Sequence, residues 1–255
     1  MKKLSYAIVL FGSLAALSAS VSAHDNSGSR NACRNLPGFA ELRSALIAAR
    51  NTPNGGLNND MWASVVNRDG IVCAVVFTGA GRADQWPGSR VISAQKANTA
   101  NSFSLSGFAL STANLYAAVQ PGGSLYGLSD SNPVDTEAAY KGPSENYGAS
   151  NDPLVGKKIG GVNTFGGGLP LYNGAGLLLG AIGVSGDTSC ADHNIAWKTR
   201  DSLGLDHVPN GVNPANQDDN IIYDFNGQTS ASGFGHPACS TDSTSIANSF
   251  PKAGS

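Results

Sequence analysis

Met61-Trp62-Ala63-Ser64-Val65-Val66-Asn67-Arg68-Asp69-Gly70-Ile71-Val72-Cys73-Ala74-Val75-Val76-Phe77 holds two β-rich runs, Met61 to Val66 and Ile71 to Phe77, around a four-residue turn. Asp69-Gly70 in that turn is a strong hairpin signal, because glycine enters the left-handed backbone region at no steric cost. A second hairpin is expected further along. It runs from Gly166-Gly167-Gly168-Leu169-Pro170-Leu171 to a strand over Leu177 to Val184, with Asn173-Gly174 as its turn. Helical periodicity surrounds the hairpins. Phe39, Leu42, Leu46 and Ala49 recur at three- and four-residue steps and predict a helix from Pro37 to Arg50. The alanine-rich stretch from Ser89 to Phe103 predicts a second helix, continuing after a break near Gly107 through Leu110 to Val119. A third is predicted from Asp192 to Leu203, after a break at Ser185-Gly186-Asp187. Two hairpins without a repeated strand–helix–strand unit point to an α+β domain, an antiparallel sheet with helices packed on it.

Outward from this body, residues 1–23 combine Lys2 and Lys3, an apolar stretch from Tyr6 to Leu17, and Val21-Ser22-Ala23. These are the three parts of a secretory signal peptide cut after Ala23, and the apolar run is shorter than the roughly 20 residues of a bilayer span. A polar leader follows over 24–35, then the domain over 36–203, then an extension over 204–255 with one strand-like run, Ile221 to Phe225. Within the domain, 121–160 is a long insertion rich in Gly, Pro, Ser and Asn, a kind of loop that is usually functional or mobile.

Loss of Lys2 and Lys3 leaves 14 basic against 18 acidic residues, a net charge near −4 that argues against nucleic acid as a partner. Charged residues make up 13 % of the chain, against about 25 % in an ordinary domain. With four cysteines in an oxidising compartment, two disulfides are expected and three pairings are open. Cys33–Cys73, tying the first helix to a strand, and Cys190–Cys239, pinning the extension, are the pairings favoured. Secreted or periplasmic placement follows from the same features.

Four segments in order, Val65-Val66-Asn67-Arg68-Asp69-Gly70, Ala94-Gln95-Lys96-Ala97-Asn98-Thr99-Ala100, Gly167-Gly168-Leu169-Pro170 and Gly180-Ala181-Ile182-Gly183-Val184-Ser185-Gly186 with Asp192 after it, resemble the GlcG/HbpS-like family, which includes the C-terminal domain of PduO proteins. The resemblance spans about Leu36 to Arg200. It implies a profilin-like α+β fold, a homo-oligomer, and a small-molecule site with haem as ligand, used in capture, buffering or sensing. Two departures stand out: the loop before Gly167 is longer than the family usually shows, and the first helix carries no histidine.

Haem needs an apolar slot, an axial ligand and donors for two propionates. On the family's motifs, His193 beside Asp192 is the expected metal ligand, with a surface histidine packing on its helix as the alternative. Ser185, Gly186 and the helix start behind them are expected to hold an anion on free backbone N–H groups. Gly167 and Gly168 would allow close approach of a ligand, although tight hairpin geometry explains them equally. Lys96 and Arg82 are expected to pair with a carboxylate, unless Lys96 is an ordinary solvated lysine. An enzyme acting on a small organic acid through Lys96, Asp192 and the Ser185 turn is the alternative function, and a disulfide-stabilised partner-binding protein is a third; no catalytic residue is assigned. Ser93-Ala94-Gln95-Lys96 imitates an acylation motif and Gly183-Val184-Ser185-Gly186-Asp187 a nucleophile elbow, but each lacks its companion elements. His24 as a mature N-terminus could bind copper, and Asp218-Asp219-Asn220 lacks the ligand spacing of a calcium loop.

Overall fold

The computed structural model describes residues 32–255, so the signal peptide expected over 1–23 and most of the leader, including His24, lie outside the described residues. The strands are β1 (Trp62–Asn67), β2 (Val72–Phe77), β3 (Gly168–Tyr172) and β4 (Leu178–Ser185). The helices are α1 (Phe39–Arg50), α2 (Ser89–Phe103), α3 (Leu128–Ser131), α4 (Thr136–Tyr140), α5 (Ser189–Ser202) and α6 (Thr241–Asn248).

Two asparagine-centred turns set the sheet. Asn67 Oδ1 accepts the N–H groups of Asp69 and Ile71 while Gly70 takes φ +76°, which reverses the chain between β1 and β2. Asn173 Oδ1 does the same for Ala175 and Leu177 between β3 and β4, with Gly176 rather than the expected Gly174 in the left-handed region. Since β4 also pairs with β1, the result is an antiparallel sheet in the order β2-β1-β4-β3, and the expected α+β class holds.

Alternation along the strands divides the side chains between two cores. On one face Ala63, Val65, Ile182 and Val184 meet Leu42 and Leu46 of α1 and Ile195 and Ala196 of α5. On the other, Trp62, Val66, Val75 and Ala181 meet Ala94, Ala97 and Ala100 of α2. Small residues let α2 lie directly on β4, where a Cβ on Gly183 would overlap Ser93 O.

Three expectations need correction. Leu110 to Val119 does not continue a helix but forms 3-10 turns at Thr112–Leu115 and Ala117–Val119. There Asn114 Oδ1 accepts from Ser111 N–H and Oγ, and Asn114 Nδ2 donates to Asn220 O, local bonds that compete with a helical ladder. Helix α5 starts at Ser189, before the expected Asp192, because Thr188 supplies an N-cap oxygen to Ala191 N–H. Ile221 to Phe225 is not a strand of the sheet; the extension instead carries α6, N-capped by Ser240.

The long loop and the extension are both anchored. Arg90 of α2 donates from Nε to Asp152 Oδ2 at 2.9 Å and from Nη1 to Ala139 O at 2.7 Å, and Asp152 also accepts Gly148 and Leu154 N–H groups. Arg200 of α5 pairs with Asp219 at 2.6 Å with neither side chain exposed. Both expected disulfides are present: Cys33–Cys73 with Cα atoms 5.6 Å apart and Cys190–Cys239 at 6.0 Å.

Cys190–Cys239 closes a loop over 49 residues of sequence separation. Constraint of the unfolded chain then predicts that Cys190→Ser/Cys239→Ser loses about 2–4 kcal/mol in denaturant unfolding. An unchanged midpoint would show that this disulfide adds nothing to the anchoring that Arg200–Asp219 already gives the extension.

Candidate functional site

Three of the four family-like segments meet at the Ser185 end of β4, while Val65–Gly70 runs along β4 towards its opposite end, with Asn67 facing Gly180. Lys96 reaches from α2 past the edge of the sheet, donating to Val184 O at 3.1 Å and to Asp192 Oδ2 at 2.7 Å. Lys96 and Asp192 are 1 % and 2 % exposed. Gly167, at φ +114°, passes beside them, and a Cβ there would stand 3.0 Å from Asp192 Cβ and 3.3 Å from Lys96 Nζ. Gly168 leaves room for Lys96 O and Thr112. Asp192 Oδ1 accepts Asp187 N–H at 2.9 Å. Burial pushes the Asp192 carboxyl up to about 6, opposed by the ammonium of Lys96. Lys96 is therefore not the solvated helix lysine of the ordinary reading. Its charge and that of Asp192 satisfy each other.

The Ser185-Gly186-Asp187 turn is equally occupied. Asp187 carboxylate oxygens accept N–H groups of Leu57, Asn59 and Thr188, and Gly186 O accepts from Asn59 Nδ2. At the start of α5, Ala191 N–H goes to Thr188 Oγ1 and Cys190 N–H to Cys239 Sγ. Of the N–H groups expected to hold an anion, that of Asp187 serves Asp192, that of Thr188 the Asp187 carboxylate, that of Ala191 the cap and that of Cys190 the disulfide. Ser185 is buried.

His193 has no solvent exposure. Its Nε2 lies 3.1 Å from Asn220 Oδ1 and 3.2 Å from Ile221 N–H, both from the extension, while Nδ1 is buried without a partner. Burial depresses the imidazole to about 3, so the ring is neutral at physiological pH. Sequence reasoning missed His236, which joins the same region from far along the chain. Its Nδ1–H donates to Pro237 O at 2.7 Å, which leaves Nε2 to accept from Ser189 Oγ at 2.7 Å. Ser189 Oγ in turn accepts Gly166 N–H. Geometrically this is a serine–histidine pair with an oriented base, but His236 is 2 % exposed beneath Tyr116, and the pair ties the Gly166 turn to the extension.

Arg82 is not brought to this cluster. It lies at a separate cleft of about 340 Å³ lined by Trp62, Pro87, Arg90, Tyr140 and Tyr147. Arg90 stacks on the Tyr147 ring at 3.7 Å, and Trp62 meets Phe77 edge-on at 5.2 Å. A second cleft, of about 430 Å³, shares Arg82 and Tyr147 with the first and adds Phe39, Arg43 and Glu145. Nothing in the sequence marked Tyr140 or Tyr147, which sit in the long loop.

Removing one partner of the buried pair leaves an uncompensated charge. Lys96→Met is expected to cost about 3–5 kcal/mol in urea unfolding, and Lys96→Met/Asp192→Asn, which keeps an oxygen for Asp187 N–H, to regain part of it. A single-variant loss below about 1 kcal/mol would place the pair in the class of exposed ion pairs.

The model of the family described as haem degrading protein HbpS-like matches residues 41–200. Similar solved structures include the crystal structure of a PduOC:haem complex, 23 % identical over 67 % of this chain and 94 % of that one at TM-score 0.46. Klebsiella pneumoniae protein ORFY is 27 % identical over 65 % and 87 % at TM-score 0.43. A double mutant of HbpS from Streptomyces reticuli is 16 % identical over 77 % and 99 % at TM-score 0.43. Among curated proteins no match is found. Because the family model spans more than half of its length, this chain belongs to the HbpS-like haem-degrading protein family.

Proposed function

We propose that the chain is an exported haem- or tetrapyrrole-binding protein, acting in capture, buffering or sensing, and that His193 is not its axial ligand. The family match over residues 41–200 carries the binding half of this reading. Two disulfides and the signal-like residues 1–23 support secretion or a periplasmic location, and no helix among the described residues is long and apolar enough to cross a membrane. A homo-oligomer belongs to the same reading.

The residues first expected to hold haem do not fit it. An axial ligand needs an exposed lone pair and propionates need unsatisfied donors. Lys96, Asp192 and Gly167 instead pack against one another, Gly168 against Thr112 and Lys96 O, and Gly186 against Asp60 and Met61, while His193 is enclosed by Asn220 and Ile221. An enzyme acting on a small organic acid through Lys96 and Asp192 has less support for the same reason. One observation favours a partner-binding protein with a filled pocket: Met61 is fully buried and Tyr116 packs on His236 and Phe225.

Hemin titrated into the mature protein is expected to give a saturable, shifted Soret band. His193→Gln should keep the band position and hold the Kd within a factor of about two. Absence of saturable binding would overturn the haem reading and leave the partner-binding one. Loss of the band in His193→Gln would reinstate that histidine.

A further inference from the structure

We propose that the cleft between the Arg82–Arg90 segment and the Tyr140–Tyr147 loop is the ligand site of this chain, taking a flat conjugated ring that carries a carboxylate. The proposal rests on the haem-binding reading for the identity of the ring, but its argument comes from the cleft itself. At about 340 Å³ the cleft falls in the size range of small-molecule sites, and its walls are aromatic and apolar. Trp62 lines it, 1 % exposed, and its indole Nε1–H has no hydrogen-bond partner. That nitrogen is itself shut off from solvent, so Trp62 serves the cleft as part of its apolar wall rather than as a free donor.

The charge in the cleft is unspent at one position only. Arg90 is committed to Asp152 and Ala139 O, so it shapes the wall by holding the long loop and the Tyr147 ring in place. Arg82 is exposed, and no ion pair or hydrogen bond engages its side chain among the described residues. It stands where the two clefts meet, so a ring seated against Trp62 and Tyr147 would bring a carboxylate to its guanidinium. In the second cleft Arg43 is engaged by Phe77 O and Gly79 O, which leaves Arg82 as the guanidinium free to meet the carboxylate. Tyr140 is 63 % exposed at the mouth, available to stack on the ring and, for an iron porphyrin, the lining phenol most open to an iron.

The probes are hemin, metal-free protoporphyrin IX and 2-naphthoate, each followed by quenching of tryptophan fluorescence and, for the porphyrins, by absorption. Arg82→Glu and Tyr140→Ala change exposed side chains, so thermal unfolding should show both variants folded. In the wild type all three probes are expected to quench. Each variant should weaken hemin and protoporphyrin IX at least about tenfold, the loss of one anchoring contact, and Tyr140→Phe should shift the hemin spectrum without changing protoporphyrin IX binding. Hemin bound equally by wild type and both variants would overturn the cleft and leave the haem reading standing. No hemin binding, with 2-naphthoate quenching lost in Arg82→Glu, would support the cleft and overturn haem. Quenching by none of the probes would overturn both.

Discussion

A lysine and an aspartate 2.7 Å apart, each removed from water, join the helices packed on the two faces of the sheet. Lys96 comes from the helix on one face of the sheet and Asp192 from the helix on the other, and they meet past the end of β4. Desolvating two charges is tolerated only when geometry and further hydrogen bonds compensate. Much of the nearby sequence follows from that requirement. Gly167 is a glycine because the chain must pass within van der Waals distance of both side chains at a positive φ. Val184 O supplies a second acceptor to the ammonium, and Asp187 N–H a second donor to the carboxylate.

Two further buried pairs repeat the device at the periphery. Arg90–Asp152 ties the long loop to α2, and Arg200–Asp219 ties the extension to α5. The extension also brings Asn220 to His193 and His236 to Ser189, and Phe250 stacks on Trp197. A chain with only 13 % charged residues thus spends several of them internally: the extension covers His193 and Ser189, and the long loop forms one wall of the Trp62 cleft.

The architecture was largely legible in the sequence. Hairpin turns centred on Asn67 and Asn173 and the alanine face of α2 have local causes and lie near their expected places, whereas the cysteine pairing, across separations of 40 and 49 residues, has no local cause and was one of three left open. The site was legible in membership but not in meaning. Lys96, Asp192, Gly167 and the Ser185 turn do come together, yet their separation along the chain hides that they satisfy one another rather than a ligand. Leu110 to Val119 was misread because its helical periodicity concealed the capping bonds of Ser111 and Asn114. Helix α6 escaped notice because a polar eight-residue helix with two buried positions carries little periodic signal. Tyr140 and Tyr147 were invisible as site residues, since nothing local shows that Arg90 would draw their loop over Trp62.

The extension, through Asn220 and Ile221, seals His193 at the end of β4 against solvent and ligand. A histidine-selective NMR titration of the mature protein tests it at one ring. His193 should stay neutral from pH 8 down to the onset of acid unfolding, because its folded-state value is depressed to about 3 by the cost of burying a charged imidazole. An ordinary transition of His193 near pH 6.5, the value for an exposed imidazole, would contradict the account by showing that the ring reaches water.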